Sequence, residues 1–287
     1  MSLSSARVAV VGLGLMGGSL AAALTRRRAC AEVVGVARRP ETCQQAEAEG
    51  FVHRATTDLQ TGVAGADLVV LATPVRTILR LLPRLGTLLA PGTVVLDLGS
   101  TKAAIYRAME DLPAGLQPVG GHPMCGKEVH GLEAATPDLY EGASFVLTPL
   151  PRTSAEALAL ARGLARAVGA WPLEMCPDRH DRLVAAVSHL PYILAVVLTR
   201  LVARAGQEDA EVWDLAASGF RDTSRLAASD VTMMLDILLT NQAPLRALLG
   251  SAVAELERIA ALLEQGDEER LREVLAAAQA ARKEWKG

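Results

Sequence analysis

Aromatic side chains and net charge are both scarce in this chain of 287 residues, and each scarcity excludes a class of function. Phe, Trp and Tyr make up 3% of the sequence, which leaves few rings on which the bases of a single-stranded nucleic acid would stack. The 29 basic and 32 acidic side chains nearly cancel, to a formal charge of −3, so no electrostatic attraction to a phosphate backbone is expected. We therefore predict no nucleic-acid partner.

Cysteine is also rare, and its pattern excludes a disulfide scaffold. The four cysteines, Cys30, Cys43, Cys125 and Cys176, show no CxxC spacing, which is typical of a protein from a reducing compartment. The first residues, MSLSSARVAVVGLG, lack a basic segment followed by a long apolar run, so no secretion signal is expected. We expect a cytoplasmic protein.

One apolar segment, residues 183–203, has the length of a membrane span. It contains Ser188, His189, Pro191 and Arg200, and an arginine costs about 2.5–3.5 kcal/mol at the centre of a bilayer. A helix buried inside a protein bundle has the same apolar content. We therefore predict a buried helix and no membrane partner.

The first half of the chain alternates short β-branched runs with helix-forming segments. Such alternation predicts a parallel sheet covered by helices on both faces. Strands are predicted at residues 7–12, 32–37, 66–72, 92–98, 117–121, 144–148 and 171–175, and helices at residues 19–28, 75–89 and 155–168.

After Pro177 the pattern changes to Ala- and Leu-rich helical segments, with breaks expected near Gly206, Gly219, Pro244 and Gly266. This change places a domain boundary at Pro177, between a domain of residues 1–177 and an all-helical domain of residues 178–287. Because so small a domain buries only part of its own apolar surface, we expect a homodimer formed through these helices. A monomer whose helices pack only on the first domain is the alternative.

A glycine-rich turn, GLGLMG, joins the first predicted strand to the first helix. In this pattern Gly12 allows the tight turn, Gly14 lets the backbone approach a pyrophosphate, and Gly17 permits close packing of helix and strand. The helix N-terminus then offers N–H groups to the phosphates. The sequence thus predicts an α/β fold, with an N-terminal Rossmann-type dinucleotide-binding domain and a C-terminal all-helical dimerisation domain.

The end of the second strand indicates which dinucleotide binds. A site for NAD usually places Asp or Glu there, to accept a hydrogen bond from the ribose hydroxyl. This chain has Ala37, Arg38 and Arg39 instead, and two guanidinium groups suit a 2′-phosphate. We therefore favour NADP over NAD. Two solvated loop arginines in an arginine-rich protein are the alternative.

Further candidate site residues follow the predicted strands. Thr73 and Pro74 come directly after one strand and Ser100 after the next, at the edge where open α/β sheets bind ligands. His122, held between Gly-Gly and Pro at a later strand end, is a candidate general base near neutral pH. Ser100 as a simple helix cap and His122 as a structural histidine are the alternatives.

The helical part adds polar groups in apolar surroundings. Ser188 and His189, once buried, must satisfy each other or face a pocket. Arg221 and Arg225 lie four residues apart and would share a helix face suited to a carboxylate, unless acids such as Asp222 pair with them instead. The five histidines show no metal-ligand spacing, so no metal is expected.

Taken in order, the segments VVGLGLMGGSLA, LATP, DLGSTK, GGHPMCG, HDRLVAAVSHLPY and GFRDTSRLAASD resemble the prephenate/arogenate dehydrogenase family of tyrosine biosynthesis. They span residues 8 to 241. Many enzymes share GxGxxG, whereas GGHPM together with SHLP and GFRDxxR is a specific set. We expect the compact, monofunctional form of the family.

The resemblance implies oxidative decarboxylation of a cyclohexadienol with a nicotinamide cofactor. His122 matches the catalytic histidine of the family, and Ser100 matches its partner on the same substrate hydroxyl. Arg225 matches the arginine that binds a substrate carboxylate, and His189 lines the same pocket. The cofactor residues that the pattern and the resemblance together imply are Gly12, Leu13, Gly14, Met16, Gly17, Arg38, Arg39, Thr73 and Pro74, and the further substrate residues are Ser188, Lys127 and Tyr192.

Departures from the family pattern bear on the substrate. Tyr192 replaces the second histidine of HLPH, Lys127 stands where several members carry threonine, and Met234 stands where some have tryptophan. Lys127 would supply a cation for the second carboxylate of prephenate. Tyr192 and the Arg38–Arg39 pair point instead to NADP-dependent use of arogenate, and they leave inhibition by tyrosine open.

Two other functions fit parts of the sequence. A β-hydroxyacid dehydrogenase or related reductase also joins a Rossmann domain to a helical domain, but such enzymes commonly use a lysine there, and residues 178–241 contain none. A dinucleotide-binding sensor without catalysis would not need His122, Ser100 and Arg225.

Overall fold

A single mixed sheet forms the centre of the N-terminal half in a computed structural model that describes residues 2–127, 129 and 131–285. Its strands run in the order β3-β2-β1-β4-β5-β6-β7-β8. They are β1 (Arg7–Val11), β2 (Glu32–Val36), β3 (Arg54–Thr56), β4 (Leu68–Leu71), β5 (Val94–Asp97), β6 (Gln117–Pro123), β7 (Ser144–Pro149) and β8 (Trp171–Glu174). The order of the first six strands is that of a doubly wound dinucleotide-binding sheet.

The prediction of a parallel sheet is confirmed for the first six strands and is wrong for the last two. Strand β7 pairs antiparallel with β6, and β8 runs parallel to β7. A parallel return needs a long crossover, usually through a helix. The described residues between β6 and β7 contain no helix, so the chain turns back antiparallel.

Helices cover both faces of the sheet, as predicted. Along β1, Val8 and Val10 point into one apolar cluster, while Ala9 and Val11 point into the other. The alternation follows from the two-residue period of a strand. The covering helices are α1 (Leu15–Arg26), α2 (Pro40–Ala48), α3 (Leu59–Val63), α4 (Val75–Leu88), α5 (Ala103–Glu110) and α6 (Ala155–Ala167).

Some boundaries differ from the sequence-based prediction. Helix α1 begins at Leu15 rather than at residue 19. The predicted start was too late because Gly17 and Gly18 are poor helix formers. Both lie inside the helix, where a Cβ on either glycine would collide with neighbouring atoms. Elements α2, β3, α3 and α5 were not predicted. They are short and weakly apolar, and β3 has three residues, none fully buried.

After Pro177 the described residues form helices joined by short turns and no strand, as predicted. All four expected breaks have a helix end close by: helices end at Glu208 and Thr240, one begins at Ser218, and Gly266 separates two helices. Gly206, Gly219 and Pro244 themselves lie just inside the helices at these ends. Pro244 fits because it is the third residue of its helix, where an N–H would lack an intrahelical acceptor. The elements are α7 (Pro177–Val184), a π-helical turn (Ala185–His189), α8 (Leu190–Glu208), α9 (Ser218–Ser224), α10 (Val231–Thr240), α11 (Gln242–Gln265) and α12 (Glu268–Glu284), with 3₁₀ turns at Ala210–Trp213 and Arg225–Ala228.

The backbone forms two compact units, Met1–Gln242 and Ala243–Gly287. The first unit extends past the predicted boundary because polar contacts tie the helices after Pro177 to the sheet. Arg76 of α4 donates hydrogen bonds to the Asp236 carboxylate of α10. The hydroxyl oxygens of Thr101 and Thr240 lie 2.7 Å apart. A boundary at residue 177 still marks the end of the strands, and as a domain limit it stays a prediction.

Helix α8 is more exposed than predicted. Ala195 is its one buried residue, and Leu194, Val197 and Leu201 are 42%, 46% and 57% exposed. Among the described residues, Pro177–Glu208 is the helical stretch that is long and apolar enough to cross a membrane by length and composition, with 28% of its most apolar window buried. The expected burial in a bundle is therefore wrong for the single chain.

Candidate active site

The turn between β1 and α1 has the geometry that a dinucleotide phosphate requires. Gly12 has a φ of +102°, a conformation open to glycine, and a Cβ on Gly17 would collide with the Gly12 carbonyl. A Cβ on Gly14 would meet nothing within 4 Å. Leu13 is buried in the core, and the carbonyl of Met16 accepts a hydrogen bond from Tyr140 at 2.7 Å. The turn is thus closely packed at Gly12 and Gly17, and the space beside Gly14 is open to a ligand.

The start of helix α1 is suited to an anion. Gly14, its N-cap, provides no side-chain acceptor, and the first turn carries no acidic residue. The first N–H groups of a helix have no intrahelical partner and lie at its positive end. A pyrophosphate placed over Gly14 would accept hydrogen bonds from these groups.

The other predicted cofactor residues border the same edge of the sheet. Thr73 packs against Gly12, and its Oγ1 is buried without a hydrogen-bond partner among the described residues, as a group awaiting a ligand would be. Pro74 is exposed at the start of α4. Arg38 and Arg39 are exposed just after β2. These residues fit a bound nicotinamide dinucleotide.

His122 lies near the end of β6, at the carboxyl edge of the sheet, and its ring is partly buried. Its Nδ1 is 2.8 Å from Nε2 of His180, and Nδ1 of His180 is 2.7 Å from Oδ1 of Asp181. The Asp181 carboxylate also accepts from the backbone N–H groups of Lys102, at 2.7 Å, and Ala103, at 2.9 Å, at the start of α5. The result is a continuous chain of hydrogen bonds from His122 to an anchored carboxylate.

The pKa values of both His122 and Asp181 are lowered by their surroundings. Burial, reinforced by the nearby His180, Lys102 and His189, holds the pKa of His122 well below its usual 6.5. Burial of Asp181 disfavours its charge, but the hydrogen bonds that it accepts outweigh this effect and lower its pKa. At neutral pH, His122 is therefore a neutral imidazole and Asp181 a carboxylate.

The π-helical turn brings a third histidine to the same place. His189 follows His180 by nine residues, about two and a half turns of α-helix, which would put the two side chains on opposite faces. The wider π turn at Ala185–His189 changes this register, and both rings are buried. Burial lowers the pKa of His189 to about 4.

His189 has a partner that the sequence did not reveal. Nδ2 of Asn241, at the end of α10, lies 3.1 Å from Nδ1 of His189 and donates to the Asp181 carbonyl at 2.8 Å. Ser188, in contrast, is exposed, so of the two alternatives for this pair the structure does not show the mutual hydrogen bond, and a pocket facing His189 stays a prediction. The turn places adjacent residues on different faces.

A fully buried ion pair supports the strand end that carries His122. Lys102 bonds to Asp97 and, at 2.5 Å, to the Gly121 carbonyl, and Asp97 accepts from the Gly99 and Gly121 N–H groups. Burial lowers the pKa of Lys102, while Asp97 opposes that shift. The pair joins the ends of β5 and β6 at the site.

The remaining predicted residues have these positions. Ser100 is partly buried between β5 and α5, on the edge that carries His122, and Tyr192 is partly buried in the first turn of α8. Lys127 is exposed in the connection after β6. Arg225 is exposed at the start of a 3₁₀ turn.

The arginine pair proposed for a carboxylate spans the end of one helix and the start of a continuing 3₁₀ turn, and its shared face stays a prediction. Helix α9 ends at Ser224, and Arg225 begins the 3₁₀ turn. Arg221 pairs with Asp222 at 3.1 Å, which is the alternative that the sequence left open for it. Among the described residues, no group of three or more His, Cys, Asp and Glu side chains is arranged to hold a metal, and the expectation of no metal stays a prediction.

Sequence reasoning assigned no role to His180, Asp181, Asn241 or the Lys102–Asp97 pair. A signal existed for His180 and Asp181, which stand together before an apolar helix. None existed for Asn241, because its partners lie 52 and 60 residues away in the sequence.

Comparison with known proteins connects this geometry to one family. Residues 20–172 match the family model described as prephenate dehydrogenase, nucleotide-binding domain, and residues 176–277 match prephenate dehydrogenase, dimerization domain. The prephenate dehydrogenase of Bacillus subtilis is 33% identical over 266 residues, 92% of this chain and 72% of that protein. The cyclohexadienyl dehydrogenase of Zymomonas mobilis is 30% identical over 278 residues, 96% of this chain and 94% of that one.

Solved structures give the same relation. Prephenate dehydrogenase from Aquifex aeolicus, in complex with hydroxyphenyl propionate and NAD⁺, superposes with a TM-score of 0.91 at 31% identity and covers 99% of both chains. Synechocystis arogenate dehydrogenase has a TM-score of 0.82 at 33% identity, over 96% of this chain and 99% of that one.

Proposed function

The chain belongs to the prephenate dehydrogenase family, a family of oxidoreductases, and from this premise we propose that it oxidises prephenate, with loss of carbon dioxide, to 4-hydroxyphenylpyruvate. The observation that carries the proposal is the neutral His122, at the carboxyl edge of the sheet and connected to Asp181 through His180. Arogenate, which would give tyrosine, is the second candidate, supported by the similarity to an arogenate dehydrogenase.

His122 acts as the general base in this proposal. It accepts the proton of the ring hydroxyl, with Ser100 as the second partner of that hydroxyl, while the carbonyl bond forms. The Gly12–Gly17 turn would hold the pyrophosphate of a nicotinamide dinucleotide, which would supply the hydride acceptor. The ring carboxylate leaves as carbon dioxide, and aromatisation drives the step, so the protein has chiefly to orient the hydroxyl and hold its proton. A positioned base of this kind contributes about 10²–10⁴-fold.

Substrate binding is assigned to residues of the helical part and of the connection after β6. Arg225 would bind a carboxylate, and His189 would donate a hydrogen bond in the same pocket, with Tyr192 as further lining. Ser188 is exposed on a different face from His189 and is not proposed as a lining residue. The exposed ammonium group of Lys127 is proposed to bind the side-chain carboxylate of prephenate. Arogenate has the same carboxylate, but beside it carries an ammonium where prephenate has a keto group, so a cation at this position favours prephenate.

Lys127→Ala tests the choice of substrate. The KM for prephenate is expected to rise, while the KM for arogenate changes less, because the removed cation would face an amino acid group there. Lys283→Ala, which removes an exposed lysine of α12, is the matched control. An unchanged KM for prephenate would remove Lys127 from the site.

NADP is proposed as the preferred cofactor. Arg38 and Arg39 are exposed at the end of β2, next to Ala37, and no carboxylate stands there to repel a 2′-phosphate. The double variant Arg38→Ala/Arg39→Ala is expected to raise the Kd for NADP and to leave the Kd for NAD nearly unchanged. Equal effects on both cofactors would contradict the preference.

A homodimer in the cytoplasm is proposed as the working form. Leu194, Val197 and Leu201 are spaced as one face of α8, and all three are exposed in the single chain. A second copy would cover this face, in keeping with the dimerization-domain model that matches residues 176–277. Light scattering measures the molar mass of the purified wild-type protein and of the Leu201→Glu variant. A monomeric wild-type protein would exclude the proposed homodimer.

The activity itself is tested with purified protein in a grid of prephenate or arogenate with NAD or NADP. Formation of the reduced nicotinamide in any of the four mixtures supports the family chemistry, and the fastest mixture identifies substrate and cofactor. No turnover in all four, from folded protein that binds a cofactor by calorimetry, would overturn the proposal.

A further inference from the structure

The hydrogen bonds around Asp181 fix which nitrogen of each linked imidazole carries the proton. The Asp181 carboxylate accepts from His180 and from the N–H groups of Lys102 and Ala103, and a carboxylate has no proton to donate. His180 must therefore donate from Nδ1, and where this ring carries a single proton its Nε2 is an acceptor. His122 then donates from Nδ1, at 2.8 Å, and its Nε2 keeps a lone pair.

Asn241 imposes the opposite arrangement on His189. One hydrogen of the Asn241 amide goes to the Asp181 carbonyl, which can only accept, so the amide nitrogen is placed unambiguously. The second hydrogen of the same nitrogen points to Nδ1 of His189, 3.1 Å away. Nδ1 therefore accepts, and the neutral ring of His189 carries its proton on Nε2.

We infer that Asp181, His180 and Asn241 are positioning residues that hold His122 and His189 in opposite tautomers, one presenting Nε2 as a proton acceptor and the other presenting Nε2–H as a donor. The inference rests on the proposed function for the role of His122 as base. It deepens that function, because a single site then offers a base for the hydroxyl proton and a hydrogen-bond donor for a substrate oxygen.

The same arrangement stabilises the proton after its transfer. When the O–H bond of the substrate breaks and an N–H bond forms at Nε2 of His122, the ring becomes positively charged. Its Nδ1–H already points at His180, and the carboxylate of Asp181 lies at the far end of that ring. The neighbouring Lys102 opposes this charge, but Lys102 is paired with Asp97. The Asp181 carboxylate thus stabilises the positive charge of the protonated His122 ring through His180.

Nuclear magnetic resonance of protein labelled with ¹⁵N-histidine reads these tautomers directly, without any substrate. The chain has five histidines, and single His→Gln variants assign their signals. His53 is an internal reference, because its Nδ1 accepts the Val33 N–H at 3.0 Å and its ring must carry the proton on Nε2. We expect His189 to resemble His53, and His122 and His180 to show the Nδ1–H form. An Nε2–H form of His122 would overturn the inference.

Two variants separate positioning from a general loss of structure. His180→Gln is expected to lower kcat roughly 10- to 100-fold with little change in KM, because His122 loses its fixed tautomer but the pocket keeps its shape. Asn241→Asp replaces the donor by an acceptor of the same shape, so His189 is expected to move its proton to Nδ1 and the KM to rise with less change in kcat. The exposed His53→Gln is the control, with both constants unchanged.

The outcomes distinguish this inference from the proposed function. Turnover by wild-type protein whose His122 lacks the Nδ1–H form leaves the function and overturns the inference. The expected tautomers in protein that turns over neither substrate overturn the function instead. If Asn241→Asp does not fold, Asn241→Ala serves in its place: the His189 signals are then expected to show a mixture of tautomers, and an unchanged Nε2–H form would contradict the role of Asn241.

Discussion

Lys102 and Asp97 form an ion pair in which neither side chain has any exposed surface, beside the strand end that carries His122. Taking two charges out of water is costly, and the cost is offset only where further hydrogen bonds satisfy both groups. Here the Gly121 carbonyl accepts from Lys102, and two backbone N–H groups donate to Asp97. The pair is therefore a fixed support of the site and depends on both members.

Removing one member should destabilise the fold strongly. Lys102→Met is expected to lower the free energy of unfolding by about 3–5 kcal/mol, because it leaves the Asp97 carboxylate buried without its counter-charge. Urea denaturation followed by circular dichroism measures this change. Lys283→Met, on the exposed face of α12, serves as control and should leave the midpoint unaltered. A Lys102→Met protein as stable as the control would mean that the pair contributes no net stability.

His122→Gln tests the base directly. The variant is expected to lower kcat by about 10²–10⁴-fold, since glutamine cannot take up the hydroxyl proton. Cofactor affinity, measured by calorimetry, should stay the same, because the Gly12–Gly17 turn joins β1 to α1 and His122 lies on β6. A loss below tenfold would show that the proton leaves by another route.

The pH dependence of the rate follows from the lowered pKa of His122. A base works in its neutral form, so the rate is full above the pKa and falls as the pH drops through it. Because burial puts this pKa well below 6.5, we expect a flat rate between pH 6.5 and 8 and an acid limb below pH 6.5. Steady-state kinetics across this range, with circular dichroism at each pH, measures it. An acid limb centred above pH 7 would be incompatible with a buried neutral His122.

Gly14 and Gly17 of the turn should respond differently to alanine. In Gly17→Ala the new methyl group meets the Gly12 carbonyl and the Ala72 side chain, so both thermal stability and cofactor binding should be lost. Gly14 has a φ of −90°, which alanine adopts, and open space beside it. Gly14→Ala should therefore keep its melting temperature and lose cofactor affinity. Unchanged affinity in Gly14→Ala would place the phosphates elsewhere.

Much of the fold could be predicted because local patterns dictate it. The continuous apolar runs of β1, β4 and β5 are typical of strands buried on both faces, and helix α4 was predicted to within one residue. The antiparallel turn into β7 was missed because strand direction depends on a connection that lacks a helix. The predicted break near Pro244 is present at Asn241, and Pro244 itself lies in the first turn of the next helix, where proline is tolerated.

The candidate site was predicted in part. His122 was indicated by its position between glycine and proline, and His189 by a polar residue in an apolar segment. Their partners were not predicted, because His180 reaches His122 across 58 residues and Asn241 reaches His189 across 52. The exposure of Ser188 was also missed, since a π turn has no clear sequence signature.

The sequence by itself determined the alternation of strands and helices before Pro177 and the glycine turn, and it indicated His122 as a candidate base, because each depends on neighbours within a few residues. Only the tertiary structure decided which nitrogen of each histidine carries its proton. That choice is made by Asp181 and Asn241, two side chains 60 residues apart that packing brings together. Hydrogen bonds at such distances along the chain follow from how helices pack, and packing is not a local property of the sequence.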